Sequence, residues 1–364
     1  MNKKVLCLIP SFSGGGAERQ MIELIGCLNE NDIDVTVITN SSDNAYPNEI
    51  RATKYVVDAV NKYVGLLKTY VLIRRLDFDS VVAFGDRSNL TAVLSTFPFK
   101  CFQLIVSERN FTLKIGWKER MRFFLFKRAD FIVANSNSQT NFILNNYPAL
   151  RSKVYTIHNY TDIVRFKPER NTDQNLELIK VGVFARYAPQ KNISTLIKAA
   201  AILKETGNNV FRFHWFGKMY LEDEKALALS PIYENAAKLV LNLGLEKEFK
   251  LHSFSKTPER DIHDMDVISL PSFHEGFSNS LSEALACGKP IIASDVSDNP
   301  FIVEDSIQGF LFDPYNVYSV VDAFKRYNDL SIEERRAMSI SAREKAEKLF
   351  SKDAFGDKYI RLIK

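Results

Sequence analysis

The segment from residue 267 to residue 294 limits the possible folds of this chain more than any other segment does. Two short apolar runs, Val267–Pro271 and Pro290–Ser294, have the length and composition of buried strands. Between them, Ser278 or Ser280 can cap a helix and Gly288 can end it. Two buried strands joined through a helix pair in parallel, so the segment predicts an α/β fold.

The same alternation of apolar runs and amphipathic segments continues on both sides of a polar run at Glu169–Asn175. A chain of 364 residues is too long for one ordinary core, so we expect two domains joined by that run. In the first half we predict strands at Val5–Ile9, Val35–Thr39, Ser80–Phe84, Cys101–Val106, Phe131–Ala134 and Val154–His158. In the second half we predict them at Lys180–Phe184, Arg212–Phe216, Phe249–His252, Val267–Pro271, Ile291–Ser294 and Gly309–Phe312.

Charged residues that suit an anion-binding site follow two strands of the second half. Glu275 lies in the loop before the predicted helix and Glu283 lies inside it, while Arg186 and Lys191 follow the strand Lys180–Phe184. A helix N-terminus attracts anions because its first N–H groups lack helical partners and the helix dipole is positive there. Two cations can hold a diphosphate, and two carboxylates can accept hydrogen bonds from sugar hydroxyls. The pattern therefore suits a sugar nucleotide diphosphate.

These residues resemble the donor-site signature of a known enzyme family. Seven residues separate Glu275 from Glu283, and an Ala-x-Ala-x-Gly-x-Pro pattern follows at 284–290. This is similar to the signature of the retaining nucleotide-sugar glycosyltransferases of family 4, also called group 1. The segment 185–192 resembles the family's Gly-Arg-Leu-x-x-x-Lys-Gly motif, with Ala185 in place of the first glycine and Asn192 in place of the last.

The resemblance implies the GT-B fold, in which two Rossmann-like α/β domains face each other across a central cleft. It implies an acceptor-side domain at 1–167, to which a last helix at 352–364 crosses back, and a nucleotide-sugar-binding domain at 168–351. The boundary rests on His158–Pro168, which resembles the family's interdomain junction.

The resemblance also implies roles for individual residues. Glu275, Arg186 and Lys191 would be catalytic: the carboxylate would hold donor-sugar hydroxyls and the cations would bind the diphosphate. Glu283 would hold the ribose. The other implied donor-binding residues are Gly15, Gly16, Gly276, Phe277, Ser278 and Asn279. On the acceptor side, at the carboxyl end of a predicted strand, the implied residues are Glu108, Arg109 and Asn110.

We expect no metal site and no cofactor; the UDP-sugar is a donor substrate. Asp77-Phe78-Asp79 and Asp264-Met265-Asp266 have the D-x-D pattern that binds manganese in the other glycosyltransferase fold. Both triplets precede a strand, whereas a metal-diphosphate site needs them at the carboxyl end of one. The five histidines show no ligand cluster. Arg186, Lys191 and helix dipoles would then neutralise the diphosphate.

Composition argues against several classes of protein. The formal net charge of +4 is too small for a dedicated nucleic-acid binder. Four cysteines lie in apolar surroundings without a C-x-x-C pair, which indicates reduced thiols in a cytoplasmic protein. No apolar run approaches the ~18 residues of a transmembrane helix.

Residues 114–128 alternate basic residues with large apolar ones, including Trp117, Phe123, Phe124 and Phe126. As a helix, this segment would be basic and amphipathic, which suits the surface of an anionic membrane. A helix packed into the core with a solvated basic side would show the same pattern, so the sequence leaves both alternatives open. The first would place the protein on the inner face of the cell membrane.

The function that the resemblance implies is metal-independent, retaining transfer of a hexose or N-acetylhexosamine from a UDP-sugar. The acceptor would be a glycan or a polyprenyl-linked saccharide in surface polysaccharide synthesis. A UDP-sugar epimerase of the same fold and a non-catalytic nucleotide-sugar-binding subunit are alternatives. The epimerase has no need of Glu275 and Glu283 beside Arg186 and Lys191, whereas the sequence does not exclude the subunit.

Overall fold

The computed structural model describes residues 2–13, 16–42, 50–59, 61–109, 112, 115–169, 178–220 and 229–363. They form two compact units, Met1–Tyr160 with Lys352–Lys364, and Thr161–Ser351. The second unit begins seven residues before the boundary expected at 168. The backbone N–H of Thr161 donates to the carbonyl of Phe350 at 2.9 Å, and Phe166 is buried in the second core. These contacts assign the junction segment to the second unit.

The first unit contains a seven-stranded sheet, and every strand pair in it is parallel. Its strands are β1 Lys4–Leu8, β2 Asp34–Thr39, β3 Thr53–Val56, β4 Ser80–Phe84, β5 Gln103–Glu108, β6 Phe131–Ala134 and β7 Val154–Thr156. They are arranged in the order β3-β2-β1-β4-β5-β6-β7. All six predicted strands are confirmed. The prediction missed β3, an edge strand whose residues are mostly exposed and so lack an apolar run.

Helices cover both faces of this sheet. They are α1 Gly16–Glu30, α2 Lys62–Arg75, α3 Asp86–Leu94, α4 Trp117–Leu125 and α5 Asn137–Asn146, with 3₁₀ turns at Phe126–Arg128 and Pro148–Lys153. Side chains alternate along β1, so that Val5 and Cys7 pack with α1 while Leu6 and Leu8 face the core that contains residues of α2 to α5. The two helix layers therefore lie on opposite faces of the sheet.

The second unit repeats the architecture with six parallel strands, arranged in the order β10-β9-β8-β11-β12-β13. They are β8 Ile179–Phe184, β9 Phe211–Phe216, β10 Phe249–His252, β11 Val267–Leu270, β12 Ile291–Ser294 and β13 Gly309–Phe312. All six were predicted. The helices are α6 Ile193–Glu205, α7 Pro231–Asn242, α8 Pro258–His263, α9 Asn279–Ala286, α10 Asn299–Ile302, α11 Val317–Asn328 and α12 Ile332–Phe350, with a 3₁₀ turn at Pro189–Lys191. The sequence also favours a helix near Asp223–Leu243. In the structure α7 begins at Pro231, and 221–228 lie outside the described residues.

The last helix, α13 Lys352–Ile363, belongs to the first unit, far from its neighbours in sequence. It packs against α1, where Gly356 lies so close to Cys27 that an added Cβ would stand 2.7 Å from the sulfur. The ammonium of Lys352 also pairs with the carboxylate of Glu30. A residue without a side chain is therefore required for this close approach of the two helices.

Candidate functional site

The helix α9 lies between β11 and β12, and its start and end have different causes. At its start, the carbonyl of Ser278 accepts hydrogen bonds from Leu281 and Ser282 at 3.2 Å each. At its end, Gly288 adopts a φ of 68°, and the N–H groups of Gly288 and Lys289 donate to carbonyls inside the helix at 2.9 Å. This is the C-terminal arrangement that favours glycine, and it confirms Gly288 as the stop signal.

Lys191 and Glu275 meet beside the N-terminal end of α9. The ammonium Nζ of Lys191 lies 2.5 Å from Oε1 of Glu275, and both side chains are largely buried. Two residues that are 84 positions apart in sequence are therefore in direct contact. A buried ion pair costs desolvation and requires good geometry, so the surroundings of this pair must hold both groups in place.

Backbone contacts hold the loop of Glu275 against the turn of Lys191. The side-chain amide of Gln190 donates to the carbonyl of His274 at 2.7 Å, and the N–H of Phe273 donates back to Gln190 at 2.9 Å. The N–H of Glu275 itself donates to Oγ of Ser297 at 3.0 Å. The loops after β8, β11 and β12 are thereby joined at the carboxyl end of the sheet, where parallel α/β sheets bind ligands.

Asn192 explains one departure from the family motif. It has a φ of 56°, in the left-handed region, where glycine is the unstrained residue and asparagine is the best tolerated alternative. Its buried side-chain amide donates to the carbonyls of Pro271 and Pro314 at 3.1 and 3.0 Å. Asn192 therefore supplies the backbone shape of the expected glycine and also ties this turn to two neighbouring loops.

The other predicted donor-side residues lie on the same loop, on the same helix or after β8. Arg186 is exposed just beyond β8, and Glu283 is half-buried within α9. Phe277 is buried and packs edge-to-face on Phe350 with ring centroids 5.3 Å apart. Ser278 is buried, and its hydroxyl donates to Asn299 at 2.9 Å rather than capping α9. Ser278, one of the two serines that the sequence offers as a cap, is therefore the N-cap residue of α9, but it caps the helix through its carbonyl and not through its hydroxyl.

The remaining residues of the predicted donor set have simpler positions. Gly276 and Asn279 are half-buried on either side of Phe277 and Ser278, and Asn279 is the first residue of α9. Gly16 begins α1 in the first unit, whereas Gly15 lies outside the described residues. Gly16 is thus the first residue of the helix that follows β1 in the chain.

The prediction from sequence missed Gln190, Ser297 and a cavity in the same unit. The cavity has a volume of about 430 Å³ and lies at the carboxyl ends of β12 and β13, lined in part by Asp295, Asp313 and Tyr315. The ring of Tyr315 stacks on Phe273 with centroids 4.9 Å apart, next to the loop of Glu275. The one available signal was that Ser297 and Asp313 follow predicted strands.

Of the residues predicted on the acceptor side, Glu108 is buried at the end of β5. Burial raises the pKa of Glu108 to about 7, although Arg122, 3.3 Å away, acts in the opposite direction. One carboxylate oxygen, Oε1, has no hydrogen-bond partner among the described residues. A buried carboxyl group without full hydrogen bonding is costly, so Glu108 is not an ordinary solvated turn residue.

The side chain of Arg109 makes contacts within the first unit and is half-buried rather than exposed. Its guanidinium donates to Oδ1 of Asn159 at 2.7 Å and to the hydroxyl of Tyr359 at 2.9 Å, and it lies 3.9 Å from the ring centroid of Phe84. Burial lowers the pKa of Arg109. The residue joins β5 to α13, and Asn110 lies outside the described residues.

One aspartate of each D-x-D triplet lies at the opposite, amino end of its sheet. Asp79 accepts a hydrogen bond from the N–H of Lys4 at 2.8 Å, and Asp266 accepts one from Lys180 at 2.8 Å. Each carboxylate thus satisfies a backbone N–H at or near the start of a neighbouring strand. Among the described residues, no group of three or more His, Cys, Asp or Glu side chains is placed to hold a metal ion.

Two family models match the chain. Residues 164–345 match the model described as glycosyl transferases group 1, and residues 14–165 match the model described as glycosyltransferase family 4. The first match alone covers half of the chain. The chain belongs to the group 1 glycosyl transferases. This confirms the family that the Glu275 and Glu283 pattern predicted.

Relatives of this glycosyltransferase include two bacterial enzymes. The first is the poly(ribitol-phosphate) alpha-N-acetylglucosaminyltransferase of Staphylococcus aureus, 25% identical over 65% of this chain and 47% of the relative. The chain thus spans about half the length of that protein. The second is the N-acetylgalactosamine-N,N'-diacetylbacillosaminyl-diphospho-undecaprenol 4-alpha-N-acetylgalactosaminyltransferase of Campylobacter jejuni, 24% identical over 80% of this chain and 81% of the relative.

A solved structure confirms the fold of this glycosyltransferase. The Anabaena protein HepE in complex with UDP is similar, with a TM-score of 0.81 and 19% identity over 98% of both chains. The GT-B prediction of two Rossmann-like α/β domains is therefore confirmed. Among the described residues, no helix combines the length and apolar character that crossing a membrane requires.

Proposed function

We propose that this glycosyltransferase moves a hexose or N-acetylhexosamine from a UDP-sugar to an acceptor hydroxyl, with retention of configuration and without a metal ion. The observation that carries the proposal is the contact between Lys191 and Glu275 beside the N-terminal end of α9. A cation, a carboxylate and a helix N-terminus meet there, which suits a diphosphate bonded to a sugar. The Anabaena neighbour has been solved with UDP and with UDP-glucose.

In this proposal the leaving group receives most of the stabilisation. Lys191, Arg186 and the positive end of α9 would balance the charge that grows on the diphosphate as the bond to the sugar breaks. Glu275 would accept hydrogen bonds from sugar hydroxyls and Glu283 from the ribose. The acceptor oxygen would bond to the anomeric carbon on the face that the diphosphate leaves, and its proton would pass to the departing phosphate oxygen.

Retention agrees with the names of the relatives. Both relatives are named for transfers that form an alpha linkage. A nucleotide sugar whose sugar is alpha-linked to the diphosphate gives an alpha product only if the configuration is retained.

We further propose that the acceptor is a glycan or a polyprenyl-linked saccharide used to build a surface polysaccharide, on the cytoplasmic side of the cell membrane. The Campylobacter relative is named for an acceptor linked to diphospho-undecaprenol, and an Escherichia coli relative is named for colanic acid biosynthesis. A lipid-linked acceptor would require this enzyme to work at a membrane surface.

The test is a donor panel with undecaprenyl-diphosphate-linked saccharides as acceptors, read by mass spectrometry and by NMR of the anomeric proton. We expect an alpha product from one UDP-sugar, and we expect Lys191→Ala to abolish it. Lys198→Ala is the matched control, since Lys198 is an exposed lysine on the adjacent helix α6. A beta product would contradict retention, and absence of binding to every nucleotide sugar would contradict the proposal as a whole.

A further inference from the structure

Helix α4 of the first unit presents a stripe of large apolar side chains to solvent. Trp117, Met121 and Phe124 are 71%, 53% and 63% exposed, and they repeat at i, i+4 and i+7 along one side of the helix. The opposite side carries Phe123, which is 1% exposed and packs in the core together with Phe126 of the following turn. The helix therefore has an apolar inner side and an apolar outer stripe.

Neighbouring elements of the same helix layer also expose large apolar side chains. α2 packs against α3, and α3 packs against α4. Leu67 of α2 is 61% exposed, and Phe99, in the loop after α3, is 74% exposed. That loop is held between the other elements, because the guanidinium of Arg74 donates to the carbonyl of Phe99 at 2.7 Å and Arg128 donates to Thr96 at 2.8 Å.

The helix layer on the other face of the sheet has no such surface. It consists of α1 and α13, all of whose residues are described, and none of their large apolar side chains is exposed. Because the two layers cover the same sheet, the exposure of apolar side chains on one layer can be compared directly with that on the other. Scattered exposed apolar residues are normal on proteins, but their concentration on one of two layers indicates a specific contact surface.

Charge is divided between the two layers in the same way. α2 contains four basic residues and no acidic one, and the segment 117–128 contains five basic residues and one acidic one. By contrast, α1 contains one basic and three acidic residues, and α13 contains three basic and two acidic ones. Lys118, Arg120 and Lys127 are exposed beside the apolar stripe of α4. Apolar side chains bordered by cations suit a lipid bilayer, which has an apolar interior and can carry anionic headgroups at its surface.

We propose that the outer face of α2, α3 and α4, with the loop 95–101, docks on an anionic lipid bilayer. Trp117, Met121 and Phe124 would insert at the level of the headgroups, where amphipathic aromatic rings are favoured. The basic residues that border them would attract the negatively charged lipids. This proposal rests on the proposed function to the extent that a polyprenyl-linked acceptor gives the enzyme a reason to sit at a membrane, but the surface is defined by the helix layer alone.

The test compares sedimentation of the purified chain with vesicles of phosphatidylcholine alone and with vesicles containing one third phosphatidylglycerol. We expect sedimentation with the anionic vesicles, with reduced binding to the neutral ones and release by 1 M salt, because screening removes the attraction between lysines and headgroups. Replacement of Trp117, Met121 and Phe124 by serine should lower partitioning at least tenfold, since each contributes apolar area to the interface.

The control is a triple variant of three residues that are also exposed, apolar and helical but lie in the second unit: Leu241→Ser, Tyr318→Ser and Ile340→Ser. It should sediment like the unchanged protein. Because Phe123 and Phe126 remain in place, the stripe variant should keep its melting temperature and its affinity for UDP. Equal sedimentation of the stripe variant and the unchanged protein would overturn the proposal. Equal binding of the unchanged protein to neutral and to anionic vesicles would also overturn it.

The outcomes separate this surface from the donor chemistry. A chain that binds UDP but no vesicle would overturn docking and leave the proposed transferase function intact, and the exposed stripe would then fit a protein partner better. A chain that sediments with anionic vesicles through the stripe but binds no nucleotide sugar would support docking and overturn the proposed function.

Discussion

At the residue scale, the proposed donor binding depends most directly on the ammonium of Lys191. It lies 2.5 Å from a carboxylate oxygen of Glu275, so a bound diphosphate would compete with that carboxylate for the same cation. Of the two proposed roles of Glu275, holding sugar hydroxyls would favour binding of the UDP-sugar, whereas holding Lys191 would oppose binding of the diphosphate. Only the second role affects UDP itself, because UDP lacks the donor sugar.

We expect Glu275→Gln to lower transfer at least a hundredfold while tightening UDP binding about fivefold. The neutral amide holds Lys191 less strongly than the carboxylate does, by about 1 kcal/mol, so the diphosphate gains the cation. Titration calorimetry with UDP measures the affinity. The matched control is Glu259→Gln, which removes a carboxylate 2.8 Å from Arg165 in the same unit and should leave UDP affinity unchanged. Weaker UDP binding by Glu275→Gln would contradict the competition.

We expect Glu283→Ala to weaken UDP binding by roughly ten- to a hundredfold, because the ribose hydroxyls would lose a charged acceptor worth about 1.5–3 kcal/mol. Glu344→Ala, an exposed glutamate of α12, is the control for a simple loss of negative charge. Unchanged UDP affinity in a folded Glu283→Ala protein would remove the ribose assignment.

Glu108 makes stability depend on pH in a direction that can be checked. Its pKa in the folded protein is raised by burial from 4.5 to about 7, so between these values the folded state binds more protons than the unfolded state. Stability from this group therefore falls as pH rises through that window, by about 3 kcal/mol in total. Urea unfolding at pH 5 and at pH 7.5 should show this loss, relative to Glu108→Gln. An equal pH dependence in both proteins would show that burial does not raise this pKa.

At the element scale, the close approach of α1 and α13 fixes how the C-terminal helix joins the first unit. The contact is made by Gly356 against Cys27, and it is supported by the bond between Arg109 and Tyr359. α13 contributes Phe355, Tyr359 and Ile360 to the core under α1. Packing of one helix against another through a glycine is sensitive to a single methyl group.

Two glycine-to-alanine changes should act in opposite directions at this helix pair. Gly356→Ala places a Cβ within 2.7 Å of the Cys27 sulfur and should destabilise the protein by about 1–3 kcal/mol. Gly26→Ala lies in the interior of α1, where the added Cβ would meet nothing within 4 Å beyond its chain neighbours and the backbone of its own helix. This change should stabilise the protein by about 0.5–1 kcal/mol. Thermal unfolding of both variants measures the difference, and stabilisation by Gly356→Ala would show that the helices can separate without cost.

At the scale of the whole molecule, aspartates that precede strands in both units bind backbone N–H groups, which is a structural role that needs no metal ion. The carboxylates of Asp79, Asp130 and Asp266 each accept the backbone N–H of a residue in a neighbouring strand, Lys4, Leu104 and Lys180, at 2.7–2.8 Å. Two of these three aspartates belong to the D-x-D triplets. They lie at the amino ends of their sheets, whereas the contact of Lys191 with Glu275 lies at a carboxyl end.

We expect transfer in excess EDTA to remain within about twofold of the untreated rate, because cations of the chain and a helix N-terminus would take the place of a metal ion at the diphosphate. The measurement is the initial rate before and after chelation, with manganese added back. Complete loss of activity that manganese restores would contradict the proposed metal independence. Asp79→Asn and Asp266→Asn should lower the melting temperature and leave the response to EDTA unchanged.

Much of the fold could be predicted from the sequence alone because the signals are local. Apolar runs of strand length predicted twelve of the thirteen strands. Gly288 predicted the end of α9, where the backbone adopts a left-handed conformation. The spacing of Glu275 and Glu283, together with Arg186 and Lys191, predicted the family. This was possible because each pair lies within one short segment, in which local structure fixes the distance between the residues. The strand β3 was missed, since an exposed edge strand has no apolar run.

Only the tertiary structure decided which partner each side chain has, because partners come from distant parts of the chain. It placed Phe123 in the core and Phe124, its neighbour, in solvent, a distinction that composition does not make. In the tertiary structure Arg109 donates a hydrogen bond to Tyr359, which is 250 residues away in sequence. The hydroxyl of Ser278 donates to Asn299 and does not accept from the N–H groups at the start of α9. Local sequence determines the period and the limits of an element, whereas the side that faces the core depends on what packs against it.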